Sequence, residues 1–259
     1  MKIATFNING VKARIEALTT WLQDSAPDVA LLQEIKSVDD GFPRQMIEDL
    51  GYNVETHGQK GFNGVAILSK RPLEDVTRGL PGDDADEQAR WIEATVVGEV
   101  AVRLCCLYLP NGNPAPGPKF DYKLAWMDRL RARARDLLDS EMPAVMAGDY
   151  NIIPQAEDAA RPEAWRDDAL FRPDSRAAFR RIVNLGFTEA FRARTAGPGH
   201  YSFWDYQAGA WDKNDGIRID HALLTPQCAD LLRDCWIEKD LRGREKPSDH
   251  VPVWIDLAA

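Results

Sequence analysis

The sequence predicts a mixed α/β fold in which two packed, mixed β-sheets are flanked by helices. Three observations carry this. Short aliphatic or β-branched runs recur along the chain; stretches of helical periodicity separate only some of them; and the runs after the first pair are often joined by tight turns, which argues against a wholly parallel sheet. In order, the runs Ile3 to Ile8, Val29 to Gln33, Gly64 to Leu68, Trp91 to Val97, Ala101 to Leu109, Ala144 to Ala147, Ile219 to Leu224 and Pro252 to Leu257 read as strands. Between them, Val11 to Asp24, Pro43 to Leu50, Phe120 to Leu138 and Arg176 to Leu185 read as helices. Residues 110–119 form a loop rich in Pro and Gly. Residues 154–175 are polar with scattered Trp and Pro and read as an irregular excursion able to reach a ligand.

Apolar runs continue from Lys2 to Leu257 with no long linker, charge block or internal repeat, so residues 1–259 are expected to form one domain. A strand opens the chain without a cationic stretch and apolar segment ahead of it, and no run of 18 apolar residues occurs. This predicts a soluble, cytoplasmic protein without membrane attachment. The four cysteines, at 105, 106, 228 and 235, form no CxxC pair, and the adjacent two on one strand point to opposite faces. Neither a disulfide framework nor a structural zinc site is expected. A net charge of −9, from 41 acidic against 32 basic residues, argues against a surface that clings everywhere to nucleic acid. It leaves room for an enzyme with a local basic rim and carboxylates reserved for a metal.

Polar and acidic residues follow directly on several apolar runs: Asn7 and Asn9 after the first, Glu34 after VALLQ, Asp149 and Asn151 after PAVMAG. Taken singly, an Asp or Asn in such a place is more often a turn former or helix cap. If the strands are neighbours, their ends share a rim, and Asn7, Glu34, Asp149 and Asn151 become an oxygen-rich cluster suited to Mg²⁺ or Mn²⁺. Zinc would want His or Cys, which are scarce. His250, beside an acid in SDHVPV, has a candidate orienting partner in Asp220; His57 and His200 lack such context and read as surface or loop residues. The arginines of 129–135 are expected to occupy a solvated helix face.

The segments FNINGVKAR, LQEIK, YLPNG, GDYNIIP, GIRIDH and SDHVPVWIDL occur in that order and span nearly the whole chain. In this the sequence resembles the exonuclease III family of abasic-site endonucleases, within the endonuclease, exonuclease and phosphatase superfamily. The resemblance implies a four-layer, deoxyribonuclease I-like α/β sandwich. It also implies a DNA repair nuclease that cuts 3′ to 5′ from ends, incises 5′ to abasic sites and removes 3′ blocking groups. Glu34, with Asn7 and Asp249, would hold the cation, with Asp149, Asn151 and His250 as further candidate ligands. Asp149 would deprotonate the attacking water, although His250 as base stays open; Asn151 would fix water or phosphate. Asp220 would orient His250, and the Tyr108 hydroxyl would approach the phosphate. Whether one or two metal ions act is also open.

For the substrate, the resemblance implies a small apolar pocket for a flipped-out, base-less sugar, lined by Phe203, Trp204 and Ile217. Some relatives carry an aromatic where Ile217 stands. Backbone contacts to double-stranded DNA, with abasic sites or 3′ ends, would come from Lys12, Arg14, Lys60, Arg90, Asn111 and Lys119, and the enzyme is expected to act as a monomer. Two other readings remain: the same fold acting on an inositol phosphate or sphingolipid, and a relative that binds without catalysis.

Overall fold

A computed structural model describes residues 1–259. The strands are Lys2–Asn7 (β1), Val29–Gln33 (β2), Asn53–His57 (β3), Val65–Ser69 (β4), Leu73–Arg78 (β5), Trp91–Val96 (β6), Val102–Tyr108 (β7), Ala144–Asp149 (β8), Thr188–Glu189 (β9), Asp220–Leu224 (β10), Leu232–Ile237 (β11) and Val253–Leu257 (β12). They form two six-stranded sheets, ordered β11-β12-β1-β2-β4-β3 and β5-β6-β7-β8-β10-β9. Each sheet has one parallel pair at its centre, β1 with β2 and β7 with β8; the remaining pairs are antiparallel. The mixed, two-sheet architecture expected from the sequence is therefore present.

Strand parity decides what meets what. In the central strands, one set of alternating side chains fills the gap between the sheets: Ile3, Leu31, Leu104, Cys106, Val145, Ala147, Ala222 and Leu224 are all buried there. The opposite set is covered by helices. Ile15–Asp24 (α1) lays Leu18, Trp21 and Leu22 over Ala4, Phe6, Ala30 and Leu32. Pro118–Asp139 (α3) and Pro173–Val183 (α4) cover the second sheet, with Trp126, Leu130, Phe179 and Ile182 packed on Cys105, Leu107 and Met146. Arg44–Glu48 (α2), Ala190–Arg194 (α5) and Pro226–Ala229 (α6) are short. The result is helix, sheet, sheet, helix. Each fully buried Leu or Phe in it contributes about 1.5–3 kcal/mol of transfer free energy.

All four cysteines are free and buried, and Cys105 and Cys106 do face opposite sides. No helix is long and apolar enough to cross a membrane. The helix expected over Val11 to Asp24 begins with a 3₁₀ turn, Lys12–Arg14. Residues 154–175 contain two further 3₁₀ turns, Ala156–Asp158 and Pro162–Trp165, before α4 begins at Pro173. The arginines of α3 depart from expectation. Arg129 bonds Asp86 at 2.7 Å, and Arg133 bonds the buried Glu93 at 3.0 Å, so both tie the helix down; Arg131 and Arg135 lie outward. Spacing along the helix did not reveal this because the acids come from the 80–93 segment.

Candidate active site

The inter-sheet core is apolar along most of each central strand and polar at one end. Asn7 shares the parity of Ile3 and Thr5, Tyr108 that of Leu104 and Cys106, Asp149 that of Val145 and Ala147, and Asp220 that of Ala222 and Leu224. Tyr108 pairs with Asp149 across β7 and β8, and Asp149 with Asp220 across β8 and β10. The same alternation that packs the sandwich therefore aims these polar groups at one point where it opens. Beyond β1, β2 and β8 the chain turns through left-handed backbone at Asn9, Glu34 and Asn151, with φ of 48°, 49° and 47°. Such conformations cost on the order of 1 kcal/mol each in a non-glycine residue and persist where surrounding contacts enforce them.

Here the contacts do so. The Asn7 side-chain amide donates to Glu34 Oε1 at 2.9 Å and to Asp149 Oδ2 at 3.0 Å, bridging the two sheets. Asn9 Nδ2 donates to Asp249 Oδ1 at 3.0 Å, and Lys36 bonds both Asn9 Oδ1 and Glu34 Oε2, the latter at 3.0 Å. His250 Nδ1 lies 2.9 Å from Asp220 Oδ2, and its Nε2 lies 3.7 Å from Asp149 Oδ2. Ser202 Oγ donates to the same Asp220 oxygen at 2.6 Å. Asp149 Oδ1 accepts the Asn151 backbone N–H at 2.8 Å.

This crowding of charge sets proton affinities. Burial pushes the Asp149 carboxyl up, with Asp220 and Glu34 adding repulsion, against the pull of His250 and the Asn151 N–H. Burial alone would lower His250, but Asp220 and then Asp149 overcome it and push the imidazole up to about 10. Burial would likewise raise Glu34; the Asn7 hydrogen bond and Lys36 outweigh it and hold the group below the usual carboxylate range. The Tyr108 phenol is pushed well up by burial and by Glu34 and Asp149, so it remains a hydrogen-bond donor. The site thus holds an ionised Glu34, an Asp149 carboxyl of raised proton affinity, an imidazolium and a neutral phenol.

Asp149, Asp220 and His250 offer ligand atoms within 4.8 Å of one another. His250 Nδ1 is committed to Asp220, which leaves Nε2 as the atom it can present to a ligand. The carboxylate and amide oxygens of Glu34, Asp249 and Asn7 suit a hard divalent cation, and no thiol reaches them. Asn151 Nδ2 donates to Leu109 O at 2.9 Å, and Asn151 Oδ1 accepts from Asn111 at 3.2 Å.

Lys12, Lys60 and Lys119 are exposed. Arg14 bonds the Asn9 carbonyl and the Tyr206 hydroxyl, and Arg90 stacks over the Tyr108 ring at 4.8 Å. Asn111 holds Asn151. Phe203 packs edge-on against His250, with ring centroids 5.0 Å apart, and bridges to Ile217. Ile217 is 2 % exposed and joins Ile153, Leu170 and Ile219 in a small apolar cluster. Trp204 does not belong to this pocket. As the next residue along an extended segment it points the opposite way, is fully buried, and packs against Trp211 and Tyr201 in the cluster beneath α1.

Several site residues escaped the sequence reading. Lys36 lies within LQEIK and Ser202 directly precedes Phe203, but neither gave a signal of its own. Phe62, 73 % exposed beside Lys60, sits in a loop whose Asn63 and Gly64 carbonyls bond the backbone of Lys36 and Ile35, just past Glu34. An aromatic between glycines in a polar turn was the available clue.

The exodeoxyribonuclease III of Haemophilus influenzae is 36 % identical over 266 residues, covering 99 % of this chain and all of its own. An AP endonuclease from Archaeoglobus fulgidus superposes with a TM-score of 0.94 at 35 % identity, covering both chains completely. A 3′ phosphatase from Neisseria, solved bound to a product DNA hairpin, gives the same TM-score, identity and coverage. The sequence profile of the endonuclease/exonuclease/phosphatase family matches residues 4–250, and the chain belongs to that family.

Proposed function

We propose that this protein is a DNA repair nuclease that hydrolyses phosphodiester bonds in duplex DNA at abasic sites and 3′ ends, with Mg²⁺ as its cofactor. The observation that carries the reading is the convergence of Asn7, Glu34, Tyr108, Asp149, Asp220 and His250 at the open end of the inter-sheet core. The names of the relatives, an exodeoxyribonuclease III, an AP endonuclease and a 3′ phosphatase, point to the same substrate. The exposed lysines on the rim supply contacts to phosphate without reading sequence.

In this reading Asp149 accepts a proton from water as its oxygen attacks phosphorus. The phosphorus–O3′ bond breaks, leaving a 3′-hydroxyl upstream and a 5′-phosphate on the abasic residue. Asn7 and the Asn151 backbone N–H keep Asp149 aimed. His250, charged and held by Asp220, donates Nε2–H to a phosphate oxygen, where it stabilises charge that grows in the transition state. Tyr108 donates its phenolic proton to the same group. Glu34, Asp249 and Asn7 would hold the Mg²⁺, which supplies charge neutralisation at the phosphate and the leaving oxygen. Phe203 and Ile217 give an apolar wall beside His250 for a sugar without its base. We assign residues 1–259 to one catalytic domain acting in the cytoplasm as a monomer, a state that suits an enzyme following duplex DNA.

A duplex carrying one abasic analogue tests the reading directly. Incision 5′ to the analogue is expected with Mg²⁺ and none with EDTA, and Asp149→Asn should lose roughly 10²-fold or more in rate. DNA left intact under Mg²⁺, with phosphate released from inositol phosphates instead, would reverse the assignment.

A further inference from the structure

Lys123 is unlike the other lysines in having no exposed surface. It lies in the second turn of α3, on the face that packs Trp126 and Leu130 against the sheet. Its ammonium donates to two backbone carbonyls from separate segments, Asn151 O at 2.7 Å and Asn111 O at 2.9 Å. Burial pulls its pKa down to about 7, against the Asp149 and Asp168 carboxylates that favour the charged form. An ammonium out of water is expensive, and an apolar chain of similar volume would serve packing better. Its position between two loops of the site is therefore the feature to explain.

From this geometry we infer that Lys123 is a positioning residue for the nuclease reaction, a clasp holding the Asp149–Asn151 turn and the 110–117 loop in one fixed arrangement. The loop needs such a donor. Prolines at 110, 114, 116 and 118 remove main-chain N–H groups that would otherwise anchor it. What joins it to the turn is a short set of bonds: Leu109 N–H to Asp149 O at 2.8 Å, Asn151 Nδ2 to Leu109 O, and Asn111 Nδ2 to Asn151 Oδ1. Lys123 closes the set from beneath, gripping the carbonyl of each partner. The loop also lies on the lysine stem. At Gly112, φ is +91°, and a Cβ there would come within 2.6 Å of Lys123 Cδ. Through this clasp, movement of the loop would be felt at Asp149, whose backbone carbonyl and side chain both belong to the turn that Lys123 grips.

The inference rests on the nuclease reading, so its test has an arm that needs no activity. Lys123→Met keeps length and loses the donors. At a temperature well below its melting point, it should lose at least 10-fold in kcat with KM within about 3-fold, because small misplacements of reacting groups cost on the order of 10²-fold. Leu130→Ala loosens the same helix without touching either loop and should lower the melting temperature with kcat within about 2-fold. A smaller loss in Lys123→Met, or an equal loss in both variants, overturns the clasp. In the unaltered protein, deuterium uptake by residues 109–113 should be slow relative to the exposed 205–209 loop, whether or not Lys123→Met folds. Uptake as fast as in that loop overturns the clasp, while DNA left uncut by the unaltered protein counts against the nuclease reading alone.

Discussion

Replacing Asp220 by Asn tests whether a buried carboxylate keeps His250 charged. Asp220 Oδ2 and His250 Nδ1 are 2.9 Å apart, and neither side chain is more than 5 % exposed, so solvent screens the pair little. With charge centres about 4 Å apart and an effective dielectric of about 20, the attraction is about 4 kcal/mol. At 1.36 kcal/mol per pH unit this corresponds to about 3 units. His250, pushed up to about 10 in the native site, would fall to about 7 without the charge. The imidazole is protonated below its pKa, so at pH 8 the charged fraction drops from nearly all to about one tenth. The rate at pH 8 should therefore fall about 10-fold from population alone, and at pH 6 only through poorer orientation of the ring. The assay is kcat/KM for an abasic duplex between pH 6 and 10, with the His250 ring nitrogens followed by NMR. The alkaline limb should move down by about 3 units. A limb that stays in place while the whole profile drops would show that Asp220 does not set the charge on His250.

Three further outcomes follow from the same coordinates. The buried Arg218 pairs with Asp158 at 2.8 Å and Glu189 at 3.0 Å, behind the pocket wall. Burial would raise Glu189, but Arg218 and His221 bring it down from 4.5 to about 2. A depressed acid stabilises above its unfolded pKa and loses that contribution as pH falls through the folded one. Urea titrations should therefore lose about 3 kcal/mol between pH 4.5 and 2 that Glu189→Gln does not lose. Trp204→Ala should cost about 3–5 kcal/mol of stability by leaving a cavity, with selectivity for abasic over intact DNA unchanged below the melting point. A pocket residue would do the reverse. Lys60→Ala should reduce the salt slope of DNA binding by about one unit with kcat preserved; an unchanged slope removes Lys60 from the rim.

Much of this was legible in the residues because burial on both faces writes itself into sequence. β2 (VALLQ), β6 (WIEATV) and β7 (VRLCCLY) are mostly apolar and buried at nearly every position, and the expected bounds match or lie within one or two residues. The strands not foreseen are of another kind. β5 (LEDVTR) and β11 (LRDCWI) are sheet edges whose side chains, Cys235 apart, are exposed or half-buried, β3 (NVETH) buries only alternate positions, and β9 has two residues. Their identity comes from the partner strand and not from their own pattern. The site shows the same division. Glu34, Asp149 and His250 interrupt apolar runs and could be seen. Trp204 carries the same aromatic signal as Phe203, and only the fold separates one side of the segment from the other. Ser202, Lys123 and the Asp158–Arg218 pair act through partners 12 to 60 residues away, a distance at which no periodicity speaks.

The proposed reaction needs a cation and a phosphate to share the open end of the inter-sheet core. Anomalous scattering from Mn²⁺, in crystals of the Asp149→Asn variant with an abasic duplex, measures this most directly. The predicted result is a Mn²⁺ peak ligated by Glu34 and Asp249, with the phosphate 5′ to the abasic sugar within hydrogen-bond reach of His250 Nε2. A peak elsewhere on the protein, or DNA seated away from His250, would contradict it.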